Sequence, residues 1–109
     1  MSTVALTPDV IGLIAARFKA LAEPARLQIL QCLRGGERTV TQLVDDTGLA
    51  QANLSKHLQQ LHSLGFVRRR REGLFAYYAL ADTSVSRMCD IMCGRLEAEM
   101  RARNKMLTE

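Results

Sequence analysis

The sequence predicts a mainly α-helical domain carrying one two-stranded β-hairpin, an α+β fold with elements in the order ααααββα. Three observations carry that prediction. Apolar residues recur every three or four positions through most of the chain, the spacing of one helix face. Between residues 66 and 80 the pattern turns β-rich around a glycine, as in a hairpin. Pro8, Pro24, Gly35-Gly36, Gly48 and Gly65 fall between the apolar runs, where helices start and stop.

The elements follow in order. Thr7-Pro8 opens the first helix, with Thr7 as N-cap and Pro8 at the first helical position, and Ile11, Ile14, Phe18 and Leu21 form its stripe. Glu23-Pro24 interrupts it, because proline pushes the residue before it out of helical geometry. A second helix over Pro24–Leu33 is expected to bury Leu27, Ile29, Leu30 and Leu33 and to end at Gly35-Gly36. A third, Val40–Thr47, starts near Thr39 and stops at Gly48, a left-handed C-cap. The fourth runs from Ala50 to Ser63 and stops at Gly65. Its inner stripe is Leu54, Leu58 and Leu61, which leaves Gln51, Ala52, Asn53, Ser55, Lys56 and Gln59 on the outside. Phe66–Arg70 and Leu74–Leu80 read as strands around a turn at Arg71-Glu72-Gly73, where glycine allows positive φ. The last helix, Thr83–Lys105, is N-capped by Asp82 or Thr83, with Val85, Cys89, Met92, Leu96 and Met100 in its stripe and Met88 and Cys93 widening it.

At 109 residues the chain is expected to form one domain over 1–109, small enough for a second copy to help supply core. Apolar residues at 48% and charged residues at 24% exclude a disordered chain. No run nears the ~18 apolar residues of a membrane span, and Met1–Asp9 lacks the basic and apolar regions of a secretory leader, so a cytoplasmic setting without membrane contact is expected. The net charge is +4, and its placement is informative. Residues 49–80 hold five basic groups, Lys56 and Arg68 to Arg71, against Glu72 alone; the remaining ten basic and ten acidic residues cancel. All the excess lies in one third of the chain, as it would on a face that meets a polyanion.

The third and fourth helices with the tight turn between them, over 39–63, form a helix-turn-helix, and the hairpin over 66–80 stands as a wing. A B-DNA major groove is about 12 Å wide and admits one helix. Gln51 and Asn53 suit adenine edges, Lys56 suits guanine or a phosphate, and Ser55 and Gln59 add polar reach. No acidic residue lies between Gly48 and Arg71 to repel phosphate. Arg68, Arg69, Arg70 and Arg71 stand on the adjacent hairpin, and strand alternation sends two or three of them to the DNA backbone or minor groove.

Three stretches in this order, Leu21–Leu30 (LAEPARLQIL), Leu49–Leu61 (LAQANLSKHLQQL) and Arg70–Leu80 (RREGLFAYYAL), resemble the ArsR/SmtB family of bacterial metal- and thiol-responsive repressors. The resemblance spans nearly the whole chain. It implies a winged helix-turn-helix homodimer joined through its first and last helices, residues 1–22 and 82–109. It also implies binding to an inverted-repeat operator in double-stranded DNA and release by an inducer. The family's recognition-helix pattern falls on Gln51, Asn53, Ser55, Lys56 and His57, and its wing on Arg68–Gly73. Ala50 departs from the serine N-cap common in the family, a loss of about 1 kcal/mol in capping.

Cys32, Cys89 and Cys93 are too few for a disulfide scaffold. Cys89 and Cys93 lie one helical turn apart on one face, so two thiolates can share a soft ion. Cys32 or a cysteine of a partner subunit would complete a three-thiolate site for arsenite, while cadmium or zinc would take one donor more. Oxidation or persulfidation of the same cysteines is an alternative, with Arg87 and Arg95 placed to lower a thiol pKa, and buried structural thiols are another. The family's Cys-x-Cys is absent, since Thr41-Gln42-Leu43-Val44-Asp45 stands there. Its last-helix zinc site is incomplete, with Asp82 kept, Ser84 two residues on and no histidine after His62. His62 reads as a surface residue and the methionines as core filler. DNA binding itself calls for no cofactor. A winged-helix module that docks proteins, through Phe75 in the wing, is the reading from another class; an enzyme is not expected, as there is no Cys-x-x-Cys, no nucleophile–base set and no phosphate cradle.

Overall fold

The computed structural model describes residues 5–108, Thr108 by its backbone alone. The first four residues of the segment assigned to dimerisation, Met1–Val4, lie outside the described residues. The elements are α1 (Pro8–Leu21), α2 (Pro24–Cys32), a 3₁₀ turn (Leu33–Gly35), β1 (Arg38–Thr39), α3 (Val40–Thr47), α4 (Gln51–Ser63), β2 (Val67–Glu72), β3 (Phe75–Leu80) and α5 (Ser84–Thr108). The winged helix-turn-helix predicted from the sequence is the fold observed, with four differences of detail.

The sheet has three strands rather than two, in the order β1-β3-β2 and antiparallel throughout. The added strand is two residues long, pairing Arg38 with Tyr78 and Thr39 with Tyr77, and fastens the base of the wing to the body. The hairpin turn is also tighter than predicted. Arg71 and Glu72 belong to β2, Glu72 faces Phe75, and only Gly73 and Leu74 make the loop. Gly73 takes φ +60° at the first central position, as in a type II′ turn, which matches strand twist. Leu27 is half-buried where a core position was expected, and α5 runs on to Thr108.

The core joins α2, the 3₁₀ turn, α3, α4, the base of the wing and the first turn of α5: Ile29, Leu30, Leu33, Leu43, Leu54, Leu58, Leu61, Val67, Tyr78 and Val85. Each helix of the central pair is locally specified. Thr39 and Gln42 form a reciprocal capping box at the start of α3, and Gly48 ends it at φ +72°. Ala50 offers α4 no side-chain cap. The turn is held instead by Thr47, whose hydroxyl donates to the Leu43 carbonyl and accepts from the Leu49 amide, while Leu49 packs on the core. Asp82 accepts from the Ser84 amide and hydroxyl at the start of α5.

Most of α1 and the stretch of α5 beyond Cys89 lie outside this core. Ile11, Ile14 and Phe18 of α1 and Ile91, Met92, Leu96 and Met100 of α5 are exposed, and the chain is elongated to 59 × 39 × 23 Å. Among the described residues no helix is long and apolar enough to cross a membrane.

Candidate nucleic-acid interface

Helix α4 lies across the body with Leu54, Leu58 and Leu61 fully buried beneath it. Gln51, Ala52, Asn53, Ser55, Lys56 and Gln59 are all exposed on its outer side, as the leucine spacing dictates. A cleft of about 310 Å³ separates the first turn of α4 from the wing, with Gln51 and Ser55 on one wall and Leu74, Phe75 and Ala76 on the other. Helix α4 and the arginine-rich hairpin are thus neighbours across one cleft.

The register of the hairpin divides the four arginines into two pairs. Cross-strand partners share a sheet face. Arg69 and Arg71 lie opposite Tyr78 and Ala76, so they share the face that carries buried Val67 and Tyr78. Both are exposed, as is Lys56, and none of the three has a hydrogen-bond or ion-pair partner among the described residues. Arg68 and Arg70 lie opposite Ala79 and Tyr77 on the other face. Arg70 is fully engaged there. Its guanidinium is bonded to Glu37 at 2.6 and 2.9 Å and to Glu72 at 2.6 Å, and lies 4.4 Å above the Tyr77 ring. These bonds raise the Arg70 pKa and hold the Glu37 carboxyl below its usual range. Arg68 reaches the Leu80 carbonyl at 3.5 Å.

His57 does not join the outward set. It is half-buried, and its Nδ1 accepts a hydrogen bond from Arg26 Nε at 3.1 Å. Arg26 also donates to the Ala20 carbonyl at 3.2 Å and to the Gln60 side chain. Reading the sequence missed Arg26, although a signal was there. Arg26 falls at helical spacing with Ile29, Leu30 and Leu33, and His57 with Leu54, Leu58 and Leu61, so each sits on a buried stripe. His62 is exposed, as expected.

The cysteines fall into two places. Cys32 is half-buried against the core; burial and Asp46 push its thiol up, with Arg38 opposing. Cys89 is half-buried on the core and Cys93 is exposed one turn further along α5. The expected lowering of a thiol pKa by Arg87 and Arg95 is not what surrounds Cys93. Its Sγ lies 3.6 Å from Glu97 Oε1, and Glu97 raises its pKa by charge and hydrogen bond; Arg95 lies 3.8 Å from Glu99. Arg34 holds Asp90 through two hydrogen bonds of 2.9 and 3.0 Å beside the pair. Among the described residues no three His, Cys, Asp or Glu side chains gather as a metal site.

A polar helix presented over a leucine base, next to a winged hairpin with two exposed arginines that have no partner among the described residues, defines a winged helix-turn-helix protein of the DNA-binding class. Residues 23–69 match the family described as bacterial regulatory protein, arsR family. The fold of Rv0081 from Mycobacterium tuberculosis superposes with a TM-score of 0.80 at 33% identity, over 89% of this chain and 98% of that one. The homodimeric winged helix-turn-helix DNA-binding domain of Mb0332 from Mycobacterium bovis, a fragment described as a possible ArsR-family transcriptional regulator, gives 0.78 at 33% identity over 94% and 95%. A Streptomyces lividans protein described as a probable mercury resistance operon repressor is 41% identical over 69 residues, 63% of this chain and 55% of its own length. The chain thus spans little more than half of that relative. It belongs to the ArsR family of bacterial transcriptional regulators.

Proposed function

We propose that the chain is a cytoplasmic, homodimeric transcriptional repressor that reads an inverted-repeat operator and is released by a thiol-directed inducer. The observation that carries the DNA reading is the outer face of α4, polar along its length and flanked by Arg69 and Arg71. In this reading Gln51, Asn53 and Ser55 meet base edges, while Lys56, Arg69 and Arg71 meet phosphates or the minor groove. Gln59 and Arg68 lie at the margins. The dimer is supported by the exposed apolar faces of α1 and α5 and by the homodimeric Mb0332 domain.

Salt-dependent binding to promoter duplexes tests this directly. Lys56→Ala and Arg71→Ala are each expected to weaken binding and to make the salt slope shallower by about one. Arg70→Ala, which removes a guanidinium already held by two carboxylates, leaves the slope as it was. Unchanged affinity in both of the first two variants would end the proposal.

Release is assigned to Cys89 and Cys93. Because Cys89 packs on the core while Cys93 is exposed, a reagent that captures both pulls on a buried contact from outside. Among the described residues no third donor gathers with Cys89 and Cys93, so arsenite, or cadmium or zinc, would draw further donors from a partner subunit or through a movement that brings Cys32 in. The mercury-resistance relative supports a thiol-seeking inducer. Redox or sulfur sensing by the same cysteines is the alternative reading; Glu97, by raising the Cys93 pKa, lowers thiolate character for either chemistry. Cys89→Ser with Cys93→Ser is expected to bind DNA normally and to stay bound when arsenite or cadmium is added; normal release would refute the assignment.

A further inference from the structure

We infer that Arg26 is the positioning residue of the recognition helix, tying α4 to the end of α1 so that the groove-reading face is set relative to the dimer-forming helix. The inference rests on the reading of α4 as the DNA reader and of α1 as part of the dimer interface. What it adds is the link between them.

The guanidinium of Arg26 sends donors to two elements. One N–H reaches the carbonyl of Ala20, among the last four carbonyls of α1, which have no partner within their own helix. Nε reaches His57 Nδ1, and the remaining nitrogen reaches Gln60 Oε1, both on α4. Glu23 stands alongside, 3.9 Å from Arg26 Nε and 3.7 Å from His57 Nδ1, and offsets the charge of a side chain only 13% exposed. A planar fork with five N–H groups can serve these directions at once; a lysine ammonium at the end of a single stem cannot match them.

The leucine base of α4 does not do this work. Contacts among Leu54, Leu58 and Leu61 are non-directional and tolerate a small roll of the helix. A roll of about 20° carries side-chain tips at a radius of about 6 Å through about 2 Å, enough to lose a base-edge hydrogen bond. Arg26 restrains that roll from a point fixed to α1. In a dimer built on α1 and α5, the two recognition helices would then be held at a set separation through two copies of this fork.

The test uses the full chain with two probes: a duplex enriched from a random pool by the unmodified protein, and a scrambled duplex of equal length. Arg26→Lys and Arg26→Ala are expected to weaken binding to the enriched duplex about tenfold, with the salt slope and the affinity for the scrambled duplex unchanged. His57→Asn, which keeps an acceptor near the position of Nδ1, should bind close to normally, whereas His57→Leu should fall with Arg26→Ala. The Arg26→Ala, His57→Leu double variant should be no worse than either alone. Normal affinity in Arg26→Lys would overturn the inference, as would a shallower salt slope, which marks a phosphate contact. Equal losses in His57→Asn and His57→Leu would also overturn it, by showing that the ring itself meets DNA. Should Arg26→Ala fail to fold, Arg26→Lys and the His57 pair decide the matter. Absence of salt-dependent binding by the unmodified protein to either duplex would sink the DNA reading itself, a different result from normal binding that ignores Arg26.

Discussion

Helices α4 and α5 are both long, both amphipathic and both exposed along one side, yet they expose opposite things. Helix α4 buries three leucines completely and shows amides, a hydroxyl and a lysine. Helix α5 buries Val85, half-buries Cys89, and shows Ile91, Met92, Leu96 and Met100. The face of α4 is finished as far as folding is concerned, since its outward groups are satisfied by water or by a polar ligand. The face of α5 is not: contiguous apolar surface of this extent marks a protein contact. The outer face of α4 has the chemistry to meet a polyanion, and that of α5 the chemistry to meet a protein surface.

The largest effect should come from breaking that division on the α5 side. Ile91→Lys with Leu96→Lys places two charges where an apolar partner is proposed to sit. The variant is expected to sediment as a 12.2 kDa monomer. Its affinity for a two-half-site duplex should fall about a thousandfold, because the second half-site no longer binds as part of one molecule. A variant that stays dimeric would show that the apolar stripe of α5 is not the interface. On the α4 side the contrast lies within a single helix turn. Leu58→Ala should destabilise the domain by about 3 kcal/mol through the cavity it leaves. Its neighbour Gln59→Ala should change stability by no more than about 0.5 kcal/mol. Urea unfolding distinguishes the two, and equal losses would contradict the inside–outside assignment of α4.

How much of this was readable beforehand follows the range of the interactions. Local signals sufficed for Thr7, Thr39, Gly48 and Gly73, each of which acts within four residues, and for the leucine stripe of α4. Strand β1 was not readable, because two residues carry no periodicity and Arg38-Thr39 becomes a strand only by pairing with Tyr77 and Tyr78, almost forty positions away. The same holds for the wing. Four consecutive arginines look equivalent in sequence, and Arg70 is set apart by Glu37, distant in the chain, together with Glu72 and the Tyr77 ring that the hairpin brings beside it. The family pattern places His57 among the DNA-reading residues, while its place on the leucine stripe points inward, where it is half-buried. What the stripe alone did not disclose was its partner, Arg26, 31 positions earlier.

The smallest effect tests how firmly α5 is held to the body beside the cysteine pair. Asp90 on α5 accepts two hydrogen bonds from Arg34 in the 3₁₀ turn, and this pairing lowers the Asp90 carboxyl below its ordinary value of 3.8. A group whose pKa is depressed by folding contributes stability above its unfolded value and loses that contribution as pH falls through the folded one. Asp90→Asn should therefore melt slightly below the unmodified protein at neutral pH, with the gap constant down to about pH 4 and closing at lower pH as the native carboxyl takes up its proton. The pair is exposed, so the difference should be small and should shrink in molar salt. A gap that persists unchanged at low pH would mean that the substitution acts through packing rather than charge. In that case the Arg34–Asp90 contact would carry no electrostatic link between the body and the stretch of α5 that bears Cys89 and Cys93.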